Sequence, residues 1–219
     1  MRRLPVYILA DTSGSMSGAA IQALNNGISS MIDDLNDDPM AMETAYISLI
    51  TFSSAAQQAV PLTDMMNFDV PELKASGSTS LWQALQVATE AAKREVNWRS
   101  TEGEKGDYKP LFFLMTDGHA TDEPGSILSE FNSVKWGVKV CCGVGTNVDT
   151  DTLKQISDIT LQIESDGDSI QQYLQWVTNS ITTVSKSQVS EVPTDGGGPT
   201  DVLAPIPVSV VIPGTLVIV

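Results

Sequence analysis

Hydrophobic and polar positions along this chain follow two periods in turn. Residues 4–10 (LPVYILA) are apolar on both alternating faces, as in a strand covered on both sides. From 17 to 36 the period lengthens. Ile21, Leu24, Ile28, Met31, Ile32 and Leu35 fall at helical spacing, and Pro39 marks a stop just beyond. Residues 44–52 (TAYISLITF) predict a second strand. Residues 56–63 (AQQAVPLT) predict a short third one, and Pro61 puts it at a sheet edge. The close spacing of these two predicts a hairpin, so this edge is antiparallel.

Residues 64–79 predict a loop ending in SGSTS. A helix then starts near Ser80, with Ser80 and Gln83 in a capping-box spacing and Leu81, Leu85, Ala88, Ala92 and Val96 on its apolar face. Residues 97–109 predict a polar surface loop, with Glu102, Glu104 and Asp107 solvated. Residues 110–115 (PLFFLM) predict a buried strand, 124–135 a helix, 137–145 another strand, 150–157 a short helix and 159–163 a short strand. The last helix has Asp168 and Gln171 as its cap and Ile170, Tyr173, Leu174, Val177, Ile181 and Val184 on one face.

Strands alternating with helices define the fold class as α/β. The expected form is doubly wound and Rossmann-like: a mostly parallel six-stranded sheet, helices on both faces, one antiparallel edge strand. One domain spans 1–187. Residues 188–219 are expected to be a flexible linker and an apolar tail. SEVPTDGGGPTDV reads as a linker by composition, and PIPVSVVIPGTLVIV is apolar, β-branched and split by Pro213-Gly214. Left in water this tail would promote aggregation, so it is expected to dock as added β-structure on its own domain or a neighbour, with Pro213-Gly214 suited to a tight turn; the alternative is a disordered end.

Charge narrows the partners. Acidic residues outnumber basic ones by 27 to 12, a net charge of −15. Such a surface repels phosphate backbones and anionic membranes, so nucleic acid and membrane are excluded as partners. It favours metal cations and proteins. The two cysteines, Cys141 and Cys142, are adjacent in an apolar run. They read as buried free thiols, and no second pair exists for a zinc site. With no stretch near the roughly 20 apolar residues of a membrane span, and residues 1–11 read as a strand rather than a leader, the expected location is cytoplasmic.

The candidate chemistry follows the first strand. In DTSGSM the oxygens of Asp11, Ser13 and Ser15 could serve a nucleophile, a phosphate cradle or a metal ion. Asp117, in MTDG, ends the fourth strand. In a sheet of order 3-2-1-4-5-6 the first and fourth strands are neighbours and flank the switch point, where outgoing loops leave a crevice. Thr79 precedes a helix whose start could reach the same edge. All five residues offer hard oxygens, which suits Mg²⁺, Mn²⁺ or Ca²⁺ and disfavours zinc. His119, the one histidine, reads as a solvated loop residue.

These residues resemble a von Willebrand factor A domain carrying a metal-ion-dependent adhesion site (MIDAS). The D-x-S-x-S signature is Asp11, Ser13 and Ser15, the family threonine matches Thr79, and the family aspartate matches Asp117. RRLPVYILADTSGSM, ETAYISLITF, VPLT and KGDYKPLFFLMTDG further resemble bacterial TerY-type proteins of tellurite resistance and stress response. The resemblance implies a non-enzymatic adaptor. Ser13 and Ser15 would bind the metal directly, and Thr79 directly or through water. Asp11 and Asp117 would do either and orient the serines. Neutral hydroxyls leave the cation's charge undercompensated, so a partner protein's Asp or Glu would complete the site. The alternative is a metal-dependent hydrolase or phosphatase, which needs a second acidic residue or a lysine beside Asp11; DTSGSM has neither, and no P-loop GK[ST] occurs. Oligomeric state is not legible from these motifs.

Overall fold

The structure, a computed structural model, describes residues 2–99, 105–189, 203–206, 211 and 217–218. Its strands are β1 (Leu4–Asp11), β2 (Ala45–Phe52), β3 (Ala56–Asp64), β4 (Leu111–Thr116), β5 (Val138–Val144), β6 (Ile159–Ile163) and β7 (Val217–Ile218). They form one sheet in the order β3-β2-β1-β4-β5-β6-β7. The β2–β1–β4–β5–β6 run is parallel, and β3 pairs antiparallel with β2 at one edge. This is the expected six-stranded arrangement, with a two-residue strand from the tail added beside β6.

The helices are α1 (Ala19–Asp37), α2 (Pro39–Thr44), α3 (Leu81–Glu95), α4 (Ile127–Ser133), α5 (Thr150–Ile156) and α6 (Gly167–Val189). Side chains alternate across each strand, so β1, β2, β4 and β5 each feed two cores. Val6, Ile8, Phe113, Val140 and Cys142 pack with α1 and α6. Tyr7, Leu9, Phe112, Leu114 and Cys141 pack with α3, α4 and α5. Cys141 and Cys142 are thus buried free thiols on opposite sheet faces, which rules out pairing. Among the described residues no helix is long and apolar enough to cross a membrane.

Several local expectations are corrected. Pro39 does not only stop a helix; it starts α2. Asp38 accepts from the amides of Met40 and Ala41 at 3.0 and 3.1 Å, and a proline at the first helical position loses no bond. Thr44 therefore ends α2 instead of opening β2. Ser80 makes no side-chain cap on α3, and the Gln83 side chain turns away to accept from the Ala56 amide. The α6 cap is Asp166, not Asp168: it accepts from Ser169 N at 2.9 Å and Ser169 Oγ at 2.7 Å. The helix expected over 124–135 shortens to α4, because Pro124 and Gly125 form the turn before it. Asp107 is not solvated. It accepts Arg3 Nε and Arg3 Nη2 on its two oxygens at 3.0 and 2.6 Å, and its side chain is 7% exposed. Glu102 and Glu104 lie outside the described residues.

The described tail residues pack on this chain's own domain. Leu203 and Ala204 are buried in the α1/α6 core. The Trp176 indole N–H donates to Ala204 O at 2.9 Å, and Ala204 N donates to Ser180 Oγ at 3.2 Å. Val211 bridges Ile163, and Val217 and Ile218 pair with Thr160 and Ile159, all antiparallel. Both pieces therefore run the same way along β6, so they do not fold against each other as a hairpin. The expected linker at 193–200 and the turn residues Pro213-Gly214 lie outside the described residues.

Candidate metal centre

The site sits where β1 and β4 end side by side. Apolar alternation drives β1 through the core and delivers Asp11 at its last position, fully buried. Asp11 Oδ1 accepts from the Ser13 amide at 2.7 Å, which tightens the turn out of the strand. Asp11 Oδ2 accepts from Thr116 Oγ1 at 2.5 Å across the strand pair. Burial pushes the Asp11 carboxyl above its ordinary pKa, against the hydrogen bonds from Thr116 and Ser13 that pull it down.

The hydroxyls line up from this anchor. Ser13 Oγ and Ser15 Oγ are 3.0 Å apart, and Ser15 Oγ donates to Asp117 Oδ1 at 2.7 Å. Ser13 is buried, Ser15 is exposed and Asp117 is half-buried, so the row leads from the core to solvent. Thr79 closes the group from a third loop. A Cβ placed on Gly118 would lie 3.5 Å from Thr79 Oγ1, so the threonine hydroxyl faces the residue next to Asp117. Thr79 is 5% exposed, and its hydroxyl makes no hydrogen bond among the described residues. All five expected residues thus meet at one place.

Backbone bonds hold the loops together. Gly14 N donates to Gly77 O at 2.9 Å, and Ser76 N donates to Thr12 O at 2.8 Å. Gly77 has φ +77° and packs against Ser54, so this crossing demands a residue without a side chain. His119 is on the rim with its side chain 61% exposed, and its Nδ1 is 4.0 Å from Asp149 Oδ2.

Three residues were not anticipated. Thr116 supports Asp11, and its only sequence signal is a hydroxyl ending the otherwise apolar run PLFFLMT. Thr121 exchanges backbone and side-chain bonds with Thr79. Asp122 accepts from the first amides of α3.

The donor set is three hydroxyls and two carboxylates at the end of a parallel sheet. An unpaired, nearly buried hydroxyl beside a row of linked oxygens fits a hard divalent cation.

Solved structures share this fold. A von Willebrand factor type A protein from Catenulispora acidiphila matches with a TM-score of 0.64 and 17% identity, over 83% of this chain and 43% of that one. Proximal thread matrix protein 1 from the mussel byssus, with a zinc-occupied MIDAS motif, matches with a TM-score of 0.60 and 20% identity, over 81% and 45%. The pilus adhesin SpaC from Lactobacillus rhamnosus GG matches with a TM-score of 0.65 and 15% identity, over 84% and 31%. The chain spans less than half the length of each of these structures. No curated protein matches it. The family model of the von Willebrand factor type A domain matches residues 6–176, and the chain belongs to that family.

Proposed function

We propose that this domain is a divalent-metal-dependent protein-interaction module, a non-enzymatic adaptor that binds a partner's Asp or Glu through a metal ion. Von Willebrand factor A domains are known for metal-dependent protein–protein interaction and adhesion. Asp11, Ser13, Ser15, Thr79 and Asp117 would hold the ion. Mg²⁺ is the first choice on donor hardness, with Mn²⁺ or Ca²⁺ as substitutes. The zinc in the mussel protein's MIDAS supports divalent binding at such a motif. When bound, the ion would supply an electropositive point for an anionic oxygen. The carrying observation is the row of oxygens Ser13–Ser15–Asp117, built from two sequence-distant loops, with the unpaired Thr79 hydroxyl of a third loop beside it.

The chain's own residues support binding over turnover. Both Asp11 oxygens are already hydrogen-bonded and the side chain is fully buried, so it is a poor nucleophile or general base. The net charge of −15 supports a protein partner over nucleic acid or an anionic membrane. The two buried thiols suit a reducing compartment, which supports a cytoplasmic location. A role in bacterial tellurite resistance or stress response is the finer reading, and it is supported by the resemblance of the four sequence segments quoted above.

The test is Mn²⁺ titration calorimetry with Ser13→Ala/Ser15→Ala, followed by pull-down from cell extract with and without Mg²⁺. Loss of metal binding and of metal-dependent capture, with an unchanged circular dichroism spectrum, is expected. Undiminished Mn²⁺ affinity in the folded double variant would overturn the site. Phosphoester turnover lost in Asp11→Ala would overturn the adaptor reading.

A further inference from the structure

We propose that Thr121 and Asp122 are positioning residues for the metal centre, a clamp that fixes Thr79 while leaving its hydroxyl free. The proposal rests on the metal-binding reading above. Thr79 N donates to Thr121 Oγ1 at 3.1 Å, and Thr121 N donates back to Thr79 O at 2.9 Å. Leu81 N also donates to Thr79 O, at 3.0 Å. The Thr79 backbone is therefore held on both sides, and its hydroxyl is the one polar group left over.

Asp122 extends the grip to the helix that follows. Its Oδ1 accepts from Trp82 N at 3.2 Å and its Oδ2 from Gln83 N at 2.8 Å. These are orphan amides at the start of α3, which Ser80 does not cap. The cap comes instead from a carboxylate about 40 residues later, and its charge sits at the positive end of the helix dipole.

The placement gives the clamp its meaning. Asp117, Gly118, Thr121 and Asp122 share one short loop after β4. The loop that brings a carboxylate to the centre therefore also sets where the Thr79 hydroxyl stands relative to it. An ordinary helix cap needs only Asp122; the reciprocal Thr121–Thr79 pair bonds no atom of α3 itself and acts directly on the candidate ligand. A ligand fixed beforehand loses no freedom when the ion arrives. Without the clamp that ordering cost falls on binding.

The experiment compares Mn²⁺ affinity by calorimetry with melting temperature in metal-free buffer. The variants are Thr121→Val, Thr121→Ser and Asp122→Ala, with Thr89→Val as control. The Thr89 hydroxyl bonds Leu85 O within α3, away from the site, so its loss reports stability alone. Thr121→Val and Asp122→Ala are expected to bind Mn²⁺ about 10-fold more weakly, the usual cost of losing an outer-shell partner. Thr121→Ser keeps the acceptor and should bind like wild type, and Thr89→Val should keep wild-type affinity whatever its melting temperature. Wild-type affinity in Thr121→Val, or an equal loss in Thr89→Val, would overturn the clamp. A wild-type protein that binds no Mn²⁺ would instead overturn the metal reading on which the clamp rests.

Discussion

Thr116 Oγ1 donates to Asp11 Oδ2 from the neighbouring strand, linking two residues 105 positions apart at a depth that solvent does not reach. The bond uses an extended register in which β1 and β4 end together. Removing it leaves a buried carboxylate oxygen without a donor. Thr116→Val should destabilise the metal-free protein by about 1–3 kcal/mol, and Thr116→Ser should restore most of the loss. Urea denaturation at neutral pH measures both. Equal midpoints for Thr116→Val and wild type would show that water supplies the missing donor.

Asp38 offers a pH-dependent test away from the site. Burial alone would raise its pKa. The Lys186 ammonium, 2.7 Å away, and the amides of Ala41 and Met40 together hold it below the usual value. A depressed folded pKa means stability that is present above the unfolded pKa of about 3.9 and lost as pH falls through the folded value. Asp38→Asn keeps the cap and removes the charge. It should cost up to about 1 kcal/mol at pH 7, since Lys186 is more than half exposed and screened. The gap to wild type should shrink as pH falls below the unfolded value and through the lowered folded one. A gap that stays the same across that acid range would mean that the lysine contributes nothing.

The thiols should be silent in the native state. Burial pushes Cys141 up to about 12 and Cys142 also well above its ordinary value. Neither is a nucleophile at neutral pH. A thiol-specific reagent at pH 8 should label neither cysteine in native protein and both in urea. Rapid native labelling would show that β5 opens locally.

Legibility in the sequence followed the range of the forces involved. Runs such as 110–115 and 137–145 were readable because a strand buried on both faces carries its pattern in itself. Asp11, Ser13, Ser15 and Asp117 were readable because each follows such a run directly. Helix ends carry less of their own signal. Ser80 and Gln83 have capping-box spacing, yet Asp122 displaces that box from 39 to 40 residues away. Asp107 sits in a polar stretch, and its meetings with Arg3, 104 positions earlier, and with the Asn97 amide remove it from solvent. Thr121 carries no local signal, because its partner is a backbone on another loop.

The tail gives the last test. Leu203, Ala204 and Val211 are 6–7% exposed, and Trp176 donates its indole N–H to Ala204 O. Deleting 191–219 would uncover apolar surface on α6, strip the Trp176 N–H of its partner and leave the β6 edge unpaired. Burying such residues contributes about 1.5–3 kcal/mol for each large side chain, reduced by the cost of ordering the segment. The truncated protein should melt several degrees lower, and its tryptophan emission should shift to the red as Trp176 meets water. Its exposed edge strand should also make it more prone to self-association on size exclusion. Mn²⁺ affinity should not change, because β5 separates β6 from the β1–β4 site. An unchanged melting temperature and emission maximum would mean that the tail does not hold this position in solution. A tail-dependent dimer in the full-length protein would mean that the strand beside β6 is supplied by a second copy.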